Sequence, residues 1–169
     1  HVSRVTVKWP TEISDYMGFL TDWPYERAAS YRLDLTLTGR DYSGVRIFLY
    51  VPKDSTVKKL IPGEKVLFRG AISEPDSDSI VGFDYSKFLY RHGVSGTLWV
   101  NSSYWKSVPG EKCGGVRTRA AVLRRSMFER YQEWGLEGNH LALVSAVSLG
   151  YKRELDERVR ELYATSGGS

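Results

Sequence analysis

Arg46, Phe48 and Tyr50 alternate along one stretch of chain, and Arg32 stands on an earlier one. Rings and cations in this pattern can stack unpaired bases and track a phosphate backbone. Arg69 and Trp99, on two later stretches, would extend the same surface. The plainer reading of these residues is packing. Aromatic side chains on sheets mostly cover other apolar surface, so Phe48 and Tyr50 would lie against a helical tail or a neighbouring domain, with the arginines solvated. A second basic group, Arg117, Arg124 and Arg125, sits on a helical stretch with Glu129 and Glu133. It can meet phosphates or anionic lipid headgroups, or simply keep one helix face in water.

Other chemistry finds little purchase. Cys113 is the single cysteine, which excludes an internal disulfide and a cysteine zinc site. The three histidines, His1, His92 and His140, are scattered, and no phosphate-binding glycine loop or Ser/His/Asp set is legible. Glu74, Asp76 and Asp78 alternate without the spacing and glycine of a calcium loop. The reading is therefore of a non-enzymatic segment that needs no cofactor and no metal. A formal charge of +4 permits nucleic acid as a partner without arguing for it.

The elements that must position these residues are mostly strands. In 31–37, Leu33, Leu35 and Leu37 alternate with Arg32, Asp34 and Thr36; in 45–51, Val45, Ile47, Leu49 and Val51 alternate with Arg46, Phe48 and Tyr50. Stretches 16–20, 66–72 and 94–100 read as three further strands, with 104–108 as an extension or edge. Pro24 marks 21–30 as a turn, and 109–115, from Pro109 to Gly115, reads as a glycine-rich linker.

The run from Gly82 to Val94 differs in period. Asp84 can cap a helix, Tyr85, Phe88 and Leu89 form an apolar stripe, and Gly93 can close it behind Arg91 and His92. Four strands, a helix and a fifth strand fit the small Greek-key barrel called an OB-fold. The predicted fold is thus mainly β with an α extension, a five-stranded OB-fold-like barrel with a helix between strands 4 and 5 and a helical tail. The barrel is assigned to 1–110, and the linker and helices to 111–169.

In that second part Val116, Ala120, Leu123, Met127 and Tyr131 or Trp134 form a helical stripe that Gly135 ends. Stretches 141–149 and 154–165 read as a short apolar helix and a charged one. Neither approaches the roughly 20 apolar residues of a membrane span.

Two stretches carry a family resemblance. The run G-F-D-Y-x-x-F-L-x-R-x-G-V over 82–94 resembles the soluble N-terminal domain of ComEC-type competence proteins, the inner-membrane channels of bacterial DNA uptake. The stretch 143–169, L-V-S-A-V-S-L-G-Y-K-R-E-L-D-E-R-V-R-E-L-Y-A-T-S-G-G-S, is similar to the segment that leads into the family's multi-spanning competence region. The resemblance implies an OB-fold on the extracytoplasmic side of the inner membrane and transmembrane helices on both sides of the segment. It also implies single-stranded DNA and the competence region of the same polypeptide as partners.

Overall fold

The computed structural model describes residues 7–74, 89, 93–113, 115–138, 140, 141 and 144. In chain order the elements are β1 (Ser14–Leu20), β2 (Tyr25–Glu26), β3 (Ser30–Thr38), β4 (Arg46–Pro52), α1 (Ser55–Lys58), β5 (Glu64–Gly70) and β6 (Val94–Trp99). A short 3₁₀ turn (Ser102–Tyr104), β7 (Trp105–Lys112) and the helix α2 (Val116–Glu133) follow. The long strands fall where apolar and polar residues alternate, because only an extended chain puts every second side chain on one face.

These strands form one mixed sheet in the order β6-β4-β3-β1-β5-β7, with β2 pairing separately on β3. All neighbours are antiparallel except β4 and β6, which run parallel. A parallel pair cannot be joined by a tight turn. Accordingly the chain leaves β4, forms α1, lays β5 against the far side of β1, and only then returns as β6. Among the described residues the sheet has seven strands and its ladders do not close into a barrel, which departs from the predicted five-stranded barrel. An isolated bridge joins the segment after β5 to β6: the Ser73 N–H donates to Thr97 O at 3.0 Å and the Thr97 N–H to Ser73 O at 2.8 Å. Gly96 allows that approach, since a Cβ there would sit 2.5 Å from Ile72 Cγ2 and 2.9 Å from Trp9 Cζ2.

The main core lies on the inner face. Leu33, Leu35, Ile47, Leu49, Val51, Leu20 and Val66 are fully buried together, with Phe68 and Leu98 beside them. Complete burial of each such aliphatic side chain is worth about 1.5–3 kcal/mol. Trp9 packs at its margin, donating its indole N–H to Ser95 O at 2.9 Å and stacking on Tyr42 at 5.1 Å.

Three local features depart from the sequence reading. The 21–30 stretch holds β2, and Asp54 caps α1 by accepting from the Thr56 N–H at 3.3 Å; both elements are too short to show a period. The supposed linker at 109–115 is largely strand. β7 continues to Lys112 because a bulge takes up the proline: the register runs Lys65 to Val108 and then Glu64 to Lys112. Pro109, which has no N–H to give the ladder, and Gly110, at φ +93°, fall between those pairs. The Cys113 N–H then bonds Gly63 O at 2.9 Å.

By its contacts the chain divides into two compact units, 1–121 and 122–169, so the break falls within α2 and the predicted boundary at 110 lies inside β7. α2 ends as predicted at Gly135: the Leu136 N–H reaches Tyr131 O and the Gly135 N–H reaches Gln132 O, a Schellman closure. Ala121 is its buried residue, whereas Val116, Leu123 and Trp134 of the predicted apolar stripe are exposed. The predicted helix at 84–92 lies outside the described residues except for Leu89, which is helical and fully buried. The predicted helices at 141–149 and 154–165 lie outside them too, apart from Leu141 and Val144, both helical.

Candidate nucleic-acid interface

The outer face of the sheet is built by register. Tyr25 on β2 lies opposite Arg32 on β3, Arg32 opposite Tyr50 on β4, and Tyr50 opposite Trp99 on β6. Directly opposed residues share a face, so four strands deliver one row of alternating rings and cation. The next row carries Asp34, Phe48 and Thr97, and the one beyond it Thr36, Arg46 and Val94.

Contacts along these rows are between flat groups. The Arg32 guanidinium lies between two rings, 4.4 Å from the Phe48 centroid and 4.7 Å from that of Tyr25. Arg27 lies 5.2 Å from the Tyr50 centroid. Trp99 stacks on Tyr50 with centroids 4.6 Å apart and planes 13° from parallel. Each such cation–ring contact contributes about 0.5–1 kcal/mol at a wet surface.

The structure brings Arg32, Phe48, Tyr50 and Trp99 together, but not as an open platform. Phe48 and Tyr50 are only 6% and 4% exposed, since Leu89 and Val94 pack with them in a small second cluster. These two rings therefore pack, and among the described residues Leu89 and Val94 pack with them. Arg46 is also engaged, its guanidinium meeting the Asp34 carboxylate, with Nε 3.3 Å from Oδ1. Trp99 alone of the predicted aromatics stays open, at 64% exposure.

Arg69 is elsewhere. It lies opposite Asp15 in the β1–β5 register and grips that carboxylate with two bonds of 2.6 and 2.7 Å. These bonds hold the Asp15 carboxyl below the usual carboxylate range. Arg69 nonetheless meets Trp99 across a cleft of about 630 Å³ at the ends of β5 and β6. Arg117, Arg124 and Arg125 belong to α2, where Arg125 pairs with Glu129 one turn on, at 2.9 Å.

Tyr25 and Arg27 complete the row and escape the sequence reading because Pro24 marks the stretch as a turn. Their alternation about Glu26 was the available signal. Among the described residues no group of three or more His, Cys, Asp and Glu side chains is placed to hold a metal, and no helix is long and apolar enough to cross a membrane. The face suits flat rings and anions. No protein-family model matches the chain, and no curated protein matches it.

Proposed function

We propose that this chain is the extracytoplasmic OB-like domain of a ComEC-like inner-membrane channel, and that it receives or guides single-stranded DNA. Five of the strands carry the finer fold assignment. β1, β3 and β4 pair as an antiparallel meander, β5 returns to β1, and β6 runs parallel to β4. With the Ser73–Thr97 bridge linking the segment after β5 to β6, that order supports a Greek-key OB-like unit to which β2 and β7 are added. The sequence resemblance over 82–94 and 143–169 supplies the channel, the competence region as covalent partner and the inner-membrane location.

The observation that carries the DNA reading is the row from Tyr25 to Trp99. Arg27 and Arg32 contact rings and form no ion pair among the described residues, so their charge is available to phosphates. Fluorescence anisotropy of a labelled single-stranded oligonucleotide tests it. Binding that weakens with salt, and that falls when Arg27, Arg32 and Trp99 are changed to Ala, is the expected result. Absence of binding by the intact chain at low salt overturns the DNA role.

A second reading, a docking module that never touches nucleic acid, is favoured by the burial of Phe48 and Tyr50 and by the carboxylates that engage Arg46 and Arg69. It predicts that changing Arg27, Arg32 and Trp99 leaves DNA uptake by the whole channel unaltered.

A further inference from the structure

We propose that the cleft at the ends of β5 and β6 takes one unpaired base of the bound strand, stacked on Trp99. This rests on the DNA reading above and adds a site to it. The cleft measures about 630 Å³, within the range of small-molecule sites, and its walls include Ile13, Arg69, Trp99, Asn101 and Tyr104. Three of those walls are flat groups.

Each flat group is held or presented in a way that favours a planar guest. One side of the Trp99 indole is stacked parallel on Tyr50, a ring that is itself buried, so the indole is a supported plate. Its remaining surface is open, at 64% exposure, as is that of Tyr104 at 54%. The Arg69 guanidinium is fixed by its two bonds to Asp15, which occupy its Nε and one terminal nitrogen and offset its charge. It therefore offers a planar face rather than a phosphate clamp. Asn101, at the start of the 3₁₀ turn, spends no side-chain bond on capping, so its amide can meet the donor and acceptor edge of a base.

Continuity selects the ligand. Trp99 belongs both to the cleft and to the row that carries Arg32, while Ala29 of the cleft wall lies two residues from Arg27. A strand whose phosphates follow Arg27 and Arg32 thus reaches the cleft by way of Trp99. A sugar or an aliphatic side chain would use the apolar walls but would leave that cationic approach without a purpose.

The test uses the 169-residue chain and an oligothymidylate carrying one 2-aminopurine. Expected are quenching of the probe on binding, loss of that quenching with Trp99→Ala, and an affinity loss of about tenfold. Trp99→Phe, which keeps a stacking ring, should restore most of the affinity, and Tyr104→Ala should weaken binding through a residue outside the sheet. If the oligonucleotide binds equally well to Trp99→Ala with no quenching in either protein, the cleft is not a base site, although the DNA reading stands. If the intact chain does not bind the oligonucleotide, the DNA reading fails. A titration with deoxyadenosine monophosphate then decides the cleft alone: shifts of the Trp99 indole and Asn101 amide resonances retain it, and their absence overturns it.

Discussion

The two faces of β4 are both buried, by different means. On the inner side Ile47, Leu49 and Val51 share a core with aliphatic side chains from four other strands and are wholly shielded from water. On the outer side Phe48 and Tyr50 cluster with Leu89 and Val94 among the described residues, and Arg27, Arg32 and Trp99 lie against their rings. The inner face is closed by a repeating pattern. The outer one sets aromatic rings against guanidinium groups as well as aliphatic side chains. Rings and cations of that second kind are groups that a ligand could also meet, whereas the aliphatic inner face holds the fold together.

The largest expected effect tests the inner face. Leu49→Ala should lower stability by about 4 kcal/mol in urea unfolding, because the core shared by five strands cannot collapse into the space left. Leu89→Ala on the outer face should cost less, about 2.5 kcal/mol, because the Phe48 and Tyr50 rings beside it can shift into part of the space left. Equal losses in the two variants would remove the difference between the faces.

Gly96→Ala probes where β6 meets Ile72 and Trp9. The new Cβ would lie within 3 Å of both side chains, and about 2 kcal/mol should be lost in the same unfolding assay. Replacing Trp99 with Ala should shift stability by no more than about 1 kcal/mol, the worth of one exposed stacked pair. A markedly larger loss would place Trp99 with the core instead of the ligand surface.

The smallest effect concerns pH. Arg69 lowers the Asp15 pKa in the folded chain, so the pair contributes above the unfolded carboxylate range and its contribution fades as pH falls through the folded value. Asp15 is exposed, so this is a local event. Carboxyl resonances followed by NMR should show Asp15 titrating below an ordinary aspartate, and Arg69→Ala should return it to the normal range.

Much of this was legible from residue order. The alternation of Leu33, Leu35 and Leu37, and of Ile47, Leu49 and Val51, identifies β3 and β4 and tells their inner faces from their outer ones. Short or interrupted elements were not legible. β2 and α1 span too few residues to express a period, and β7 was hidden by Pro109 and Gly110, which signal a loop until a bulge absorbs them. For the candidate site, the sequence grouped Arg32, Phe48, Tyr50 and Trp99 on one surface, and the register places them on neighbouring positions of three strands. It could not tell which of them would be open.

The amino-acid sequence by itself determined the strands and their two-sidedness, because side-chain direction along an extended chain depends only on position parity. Tertiary structure alone decided that Leu89 lies with Phe48 and Tyr50, that Asp34 and Asp15 engage Arg46 and Arg69, and that Trp99 stays uncovered. Those outcomes depend on partners 12 to 54 residues apart for the ion pairs, and across separate strands for the rings. Local spacing carries no record of which distant segment will arrive to cover a face.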